Sequence, residues 1–382
     1  MNEVNLIKSE PEDLGQSKTH YFQVDAMKAL MIFLVIFDHT IPWTIKGDMG
    51  VAFWERISIP VFLVIMGFNM GNSFKQKGNA PLRELYSKSY FKNKTLRYIV
   101  PFLILYIIST IVGLVLYNFD YNAMIETQLL PHFGEVNMIM GILPFWGPGN
   151  WFIPIIFESI LIMPLLYKGF SSKPIWSVLT LISCFVIEIV AQLFIFFYFG
   201  TPPFPSWEIY YSYLFVICSV FIYLSAIGLG LWFSMGYGIT QKRNLFIWIL
   251  FPLSVIYLIM YQFFDFRFDF IRGDYNLFVF PYSAFLFLIG VKLLPEKAES
   301  KFAKAIAVIG KATYHILLAQ ILYFGIVVAI WGDHYCASII GINPFNYIVC
   351  FTYLPINWVI CIPLGVLWYF VETKIRKYRL YK

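Results

Sequence analysis

The sequence predicts an all-α, polytopic membrane protein of about ten transmembrane helices with both termini in the cytoplasm. Three observations predict it. First, only 13% of the 382 residues are charged while 59% are hydrophobic and 20% aromatic, against about a quarter charged in a soluble domain. So few charges cannot cover a soluble surface of this size, and the mean hydropathy of +0.70 excludes a disordered chain. Second, apolar runs of the ~20 residues needed to cross a bilayer recur along the chain. Third, Lys and Arg fall almost entirely in alternate connections.

In order, the runs are 25–44, 51–72, 97–117, 151–168, 175–199, 211–235, 244–263, 276–294, 303–331 and 347–371. A shorter apolar piece at 136–146 reads as re-entrant or interfacial. The connection after the second run carries Lys75, Lys77, Arg83, Lys88, Lys92, Lys94 and Arg97; its counterparts on the other side hold only Lys46, Arg267 and Arg272, with Arg56 near the start of the second run. The positive-inside rule then places both termini in the cytoplasm, as an even number of helices requires. The net charge of +6 is topogenic on this reading and indicates no nucleic-acid partner. The chain divides into a polar N-terminal tail (1–21), a membrane domain (22–373) and a basic C-terminal tail (374–382). The first twenty residues lack an apolar core and predict no cleavable signal. The five cysteines are scattered, form no CxxC pair and read as small buried hydrophobes, with no disulfide framework and no metal site. The expected location is a cell membrane, spanned many times.

Ionisable groups inside spans are costly and mark function by default. The first run contains Asp25, Lys28, Asp38 and His39. Lys28 and His39 are eleven residues apart, so they share a helical face and lie about 16 Å apart along the axis. One face thus offers a cation at one mouth and a proton-transfer group further along. Asp38 sits about 100° away and pairs elsewhere or reaches the imidazole only by bent geometry. Lys28 on its own also reads as a snorkelling lysine, and His39 as an interhelical histidine.

Five segments resemble the membrane O-acyltransferases of acyltransferase family 3. Asp25, Lys28 and His39 stand at the spacing of that family's first-helix acid, arginine and histidine, with Lys28 in place of Arg. SIPVFLVIMGFNMG matches its Phe-Phe-x-x-Ser-Gly-Phe/Tyr motif at Phe62, Gly67 and Phe68, with Met66 in the serine position. KNKTLRYIVP supplies the basic run ending in Arg97 and Pro101. GNWFIPIIFESILIMPLLY carries Trp151 and Phe152. IGKATYHILLAQ fits at Gly310, Lys311, Thr313, Tyr314, Ile316, Leu318 and Gln320. Ten helices with cytoplasmic termini is also the family's layout.

The resemblance implies transfer of an acyl group from acyl-CoA, most often acetyl-CoA, to a hydroxyl of a glycan, lipid-linked sugar or small metabolite. The CoA is a donor substrate, and no permanently bound cofactor is expected. His39 is the expected general base, with Asp38 and Glu158 as supporting carboxylates. Glu158 either orients a histidine and positions the acceptor or simply pairs within the membrane. Lys28, Lys94, Arg97 and Lys311 are the expected holders of the CoA phosphates, unless they are topogenic only. Tyr314 and Gln320 donate to a carbonyl oxygen or glue helices together, and Trp151 contacts the acceptor or anchors at the interface. His315 reads as structural. No serine accompanies His39, so direct transfer is expected, with an acyl-histidine route open and Thr40 its only hydroxyl neighbour. In the 264–275 stretch, DFRFDFIRGD reads as an amphipathic strand or a sugar-stacking surface. The competing functions are a secondary transporter, for which no inverted repeat is found, and a catalytically inactive sensor or scaffold.

Overall fold

A computed structural model describes residues 21–41, 43–78, 80–128, 145, 147–200, 213, 216–237, 246–271, 275–331 and 345–380. Among these residues the structure is helical, with no strand. In chain order the helices are α1 (Phe22–Thr40), α2 (Trp43–Lys46), α3 (Ser58–Lys75), α4 (Leu82–Leu85), α5 (Lys88–Lys94), α6 (Val100–Leu116), α7 (Tyr121–Gln128), α8 (Phe152–Phe170), α9 (Pro174–Phe199), α10 (Leu224–Ser234), α11 (Phe251–Phe264), α12 (Phe280–Leu293), α13 (Lys301–Trp331) and α14 (Phe345–Leu380). Each of the ten predicted runs contains helix. Length and apolarity alone qualify six helical stretches as spans: Val51–Lys75, Leu82–Leu116, Phe152–Phe170, Pro174–Phe199, Lys301–Ile330 and Cys350–Lys377. Val220–Ser234, Trp248–Phe264 and Phe280–Leu293 are apolar but shorter. Helix α1 is long enough but carries Asp25, Lys28 and Asp38 within its 19 residues.

That polarity is tolerated because α1 lies inside the bundle, in contact with α3, α12, α13 and α14. The outer helices behave oppositely. Only 28% of the apolar windows of α9 and α14 is buried, against 67% for α13, and their large exposed side chains are mostly Ile, Val, Leu and Phe, as a lipid-facing surface requires. Helices α3 and α10 touch backbone to backbone. Gly67 meets the Ile227 carbonyl and Gly230 the Val64 carbonyl, with no room for a Cβ at either, the close approach that small residues permit in membranes.

Proline sets several helix starts. Pro101, Pro174, Pro252 and Pro281 occupy the first turns of α6, α9, α11 and α12, where proline's fixed φ suits the helix. Two π-turns, Thr95–Ile99 and Phe246–Leu250, each end two residues before a proline, Pro101 and Pro252. A regular α-turn would drive the proline ring into the carbonyl four residues back, and the wider turn avoids this.

Several expectations change. The first predicted run, 25–44, ends as a helix at Thr40, two residues before Pro42. His39 therefore stands in the last turn of α1. The second run begins with a 3-10 turn at Val51–Phe53 and becomes α-helix only at Ser58. The basic residues from Lys374 onward continue α14 to Leu380. Residues 265–268 form no strand; Phe268 stacks on Tyr257 at 6.0 Å and packs on Phe278 at 4.9 Å, so this ring serves an internal aromatic cluster. Cys184 and Cys361 are free and buried and Cys218 is buried, but Cys350 is disulfide-bonded, which corrects the reading of the cysteines as hydrophobes alone. The 136–146 piece, apart from Phe145, and the 1–20 tail lie outside the described residues.

Candidate active site

Two polar clusters form at opposite ends of α1. At the first, Lys28 pairs with Asp25 one turn away at 2.6 Å. Gly310 of α13 presses directly on the Asp25 carbonyl, where no Cβ would fit. That contact brings Lys311 close enough to repel Lys28 electrostatically, and Arg97 does the same from the π-turn before α6. Tyr98, next to Arg97, joins the parts. Its carbonyl accepts the Tyr314 hydroxyl at 2.8 Å, its ring meets Tyr314 edge-on at 5.2 Å, and the Arg97 guanidinium lies over it at 5.3 Å. Lys94 also lies over Tyr98, at 5.8 Å, with its ammonium 2.6 Å from the Met70 sulfur. Lys28, Lys94, Arg97, Lys311 and Tyr314 therefore share one neighbourhood.

Beside it, Glu372 of α14 joins His315 Nε2 at 2.8 Å and the Arg376 guanidinium, which also donates to the Leu96 carbonyl.

The second cluster surrounds His39. Its Nδ1 lies 3.3 Å from Gln320 Oε1. An amide oxygen only accepts, so this bond needs the proton on Nδ1 and leaves Nε2 as the basic nitrogen. Asp38 Oδ2 lies 3.8 Å from that nitrogen, the bent approach anticipated from their adjacent positions. Asp38 is itself gripped by Lys46, which donates to its carboxylate and, at 2.9 Å, to its backbone carbonyl. Arg56 adds a second positive charge close enough to stabilise the Asp38 carboxylate. Phe324 closes one side with its ring 5.9 Å from the imidazole.

Gly149 completes the site. It has φ +91°, and a Cβ there would lie 3.0 Å from both His39 Cε1 and Gln320 Nε2. The GPGNW segment thus passes against the imidazole and leads into Trp151, which stacks on Tyr275 at 5.8 Å and lies tilted against Tyr223 at 5.9 Å. Trp151 is buried among these rings. Gln320 is fully buried and its Nε2 has no hydrogen-bond partner among the described residues.

Other predicted groups fall elsewhere. Glu158 accepts from Val220 N at 2.6 Å and Ser219 Oγ at 3.2 Å. It therefore holds the turn that carries Tyr223 beneath Trp151 instead of touching the imidazole. The Thr40 hydroxyl donates to Ile36 O at 2.7 Å and accepts from Asn357 at 2.9 Å, a structural link between α1 and α14.

One family matches along nearly the whole chain: the Acyl_transf_3 model, described as an acyltransferase domain, covers residues 21–371. The chain belongs to acyltransferase family 3. It is a multi-pass membrane O-acyltransferase. No curated protein and no solved structure matches it.

The acyltransferase departs from the family pattern at two places the structure locates. Lys28 keeps the charge at the first cluster. Met66, in the serine position of the second motif, accepts the Ser159 hydroxyl on its sulfur at 3.3 Å, so a hydroxyl from α8 stands beside the position that lacks one. Lys46 was not singled out from sequence. The double glycine of GPGNW was the signal for Gly149, since only glycine suits a positive φ against a ring.

Proposed function

We propose that this acyltransferase binds acyl-CoA, acetyl-CoA being the simplest donor, at the Lys28 end of α1 and transfers the acyl group to a hydroxyl at the His39 end. The supporting observation is the pair of chemically distinct clusters on one buried helix, about 16 Å apart. Arg97 and Lys311 both repel Lys28 at the first, and this gathering of positive charge suits a polyphosphate. A thioester arm then runs along α1 toward the imidazole. At the second, Asp38 is matched by Lys46 and Glu55 by Arg56. This balance, with the Trp151 and Tyr275 rings beside it, suits an uncharged hydroxyl compound such as a glycan, a lipid-linked sugar or a small metabolite.

In the proposed reaction His39 Nε2 takes the acceptor's hydroxyl proton as that oxygen attacks the thioester carbonyl carbon. Charge gathers on the carbonyl oxygen, where the buried amide of Gln320 donates. Collapse breaks the carbon–sulfur bond, and the imidazolium returns its proton to the departing thiolate. Asp38 stabilises the imidazolium in between, and Glu158 holds the Tyr223 side of the aromatic wall.

The proposal includes ten spanning helices and cytoplasmic termini, with the Lys28 end inside. The Lys and Arg asymmetry supports this orientation. So does the disulfide at Cys350, which sits with Phe37, Ile41 and Ile45 near the His39 end, because disulfides persist in oxidising compartments. Release of CoA from radiolabelled acetyl-CoA by purified protein in vesicles tests the reading. Turnover is expected only with donor on the Lys28 side and intact His39. Turnover by His39→Ala at the wild-type rate overturns the base assignment.

A further inference from the structure

The residues His315, Glu372 and Arg376 have no part in the reaction above, yet they form a connected chain whose first two members are buried. Glu372 accepts from His315 Nε2 at 2.8 Å with one oxygen and from Arg376 with the other. Arg376 then donates to the Leu96 carbonyl. The His315 ring is enclosed by Trp368 at 5.7 Å and Tyr369 at 5.5 Å. A carboxylate this buried needs a cation, which Arg376 supplies. The destination of that cation's second hydrogen bond is what carries the argument.

Leu96 lies in the π-turn Thr95–Ile99, where Val100 N–H bonds to the Thr95 carbonyl, five residues back. By the same pattern the Leu96 carbonyl would take its hydrogen from residue 101. That residue is Pro101, which has no N–H. Proline therefore both forces the wide turn and removes the backbone donor that the Leu96 oxygen would otherwise take. Arg376, from a helix 280 residues away in sequence, supplies the missing donor.

The next residue along the turn is Arg97, which faces Lys28. We infer that the His315–Glu372–Arg376 chain is a positioning clamp: it ties the C-terminal helix to the proline-induced π-turn and so fixes Arg97 in the donor site. Arg376 acts through the Leu96 carbonyl and not by touching the donor. The inference rests on the donor-site reading of the Lys28 end.

The test is a double-mutant cycle on the full-length enzyme, reading KM for acetyl-CoA, kcat, and binding of desulfo-CoA. Loss of a charge-assisted hydrogen bond is expected to raise donor KM about tenfold in Arg376→Ala, with kcat changed less than about twofold. Arg376→Lys, which keeps one donor, is expected to recover most of the loss. Pro101→Ala restores an N–H to the turn, so in that background Arg376→Ala is expected to cost less than about twofold further. An equal tenfold loss in both backgrounds would make Arg376 a direct donor ligand and overturn the clamp. So would an unchanged donor KM in Arg376→Ala. Should that variant fail to fold, Glu372→Gln reads the same split, and an unchanged donor KM there also overturns it. Arg97→Ala separates the two readings. If it leaves desulfo-CoA binding untouched, the donor site is misplaced; if it weakens binding while Arg376→Ala does not, only the clamp falls.

Discussion

The two ends of α1 solve opposite electrostatic problems. At the Lys28 end, cations from α1, α13 and the π-turn before α6 converge, and Lys28 holds Asp25 as its only near carboxylate among the described residues. At the His39 end the charges come in matched pairs, Lys46 with Asp38 and Arg56 with Glu55, around an imidazole fixed by Gln320. Surplus charge is attractive to a ligand that brings phosphates and is screened by salt. Matched charge is quiet toward ligands but controls where a proton sits. On the proposed reading one helix carries a binding end and a chemical end, and the substitutions below should separate them.

His39→Ala has the largest expected effect. Turnover should fall by roughly 10²–10⁴-fold, the usual contribution of a general base, while desulfo-CoA binding at the other end stays within about twofold. Wild-type turnover should also fall on acidification, because a protonated imidazole accepts nothing; donor binding should not follow that curve. Weakened donor binding in His39→Ala would mean the two ends are not separable.

Gly149→Ala comes next and sharpens the same contrast. The added Cβ would lie 3.0 Å from both His39 Cε1 and Gln320 Nε2, on a backbone with φ +91°. Strain of ~1–3 kcal/mol and displacement of the imidazole should lower turnover about 10- to 100-fold. Donor binding should again be spared. Wild-type turnover in this variant would show that GPGNW does not shape the reacting geometry.

Arg97→Ala probes the binding end. Donor affinity should fall about tenfold at low ionic strength and by less at high, since the exposed part of the attraction is screened; kcat should barely move. A loss that is the same at every salt concentration would mean that Arg97 acts by packing.

What the sequence made legible follows the range of the interaction. The common face of Lys28 and His39 was readable because it is set by helical period within one run. The family motifs marked Arg97, Lys311, Trp151 and Gln320. Contacts that need a chain reversal were hidden. Lys46 lies eight residues from Asp38, yet a helix drawn through 44 points it away; the break after Thr40 turns α2 back so that it reaches the carboxylate. The contact of Gly149 with His39 joins residues 110 positions apart, and no local pattern announces it. Cys350 resembled any buried apolar residue, because spacing does not reveal which thiols pair.

Lys28→Arg is the gentlest change and asks how specific the binding end is. The ammonium pairs with Asp25 at 2.6 Å and its side chain is 14% exposed. Arginine keeps the charge and adds a planar fork that can hold the carboxylate while presenting further N–H groups to a phosphate. If surplus charge is what this end provides, donor affinity should rise by only about two- to threefold with kcat unchanged. The opposing influence is space, since the Gly310 backbone lies directly on the Asp25 carbonyl and the guanidinium is bulkier than an ammonium. A loss of more than about fivefold in desulfo-CoA affinity would show that this crowding decides the outcome. The lysine would then be fitted to its site, and the surplus of charge alone would not explain donor binding.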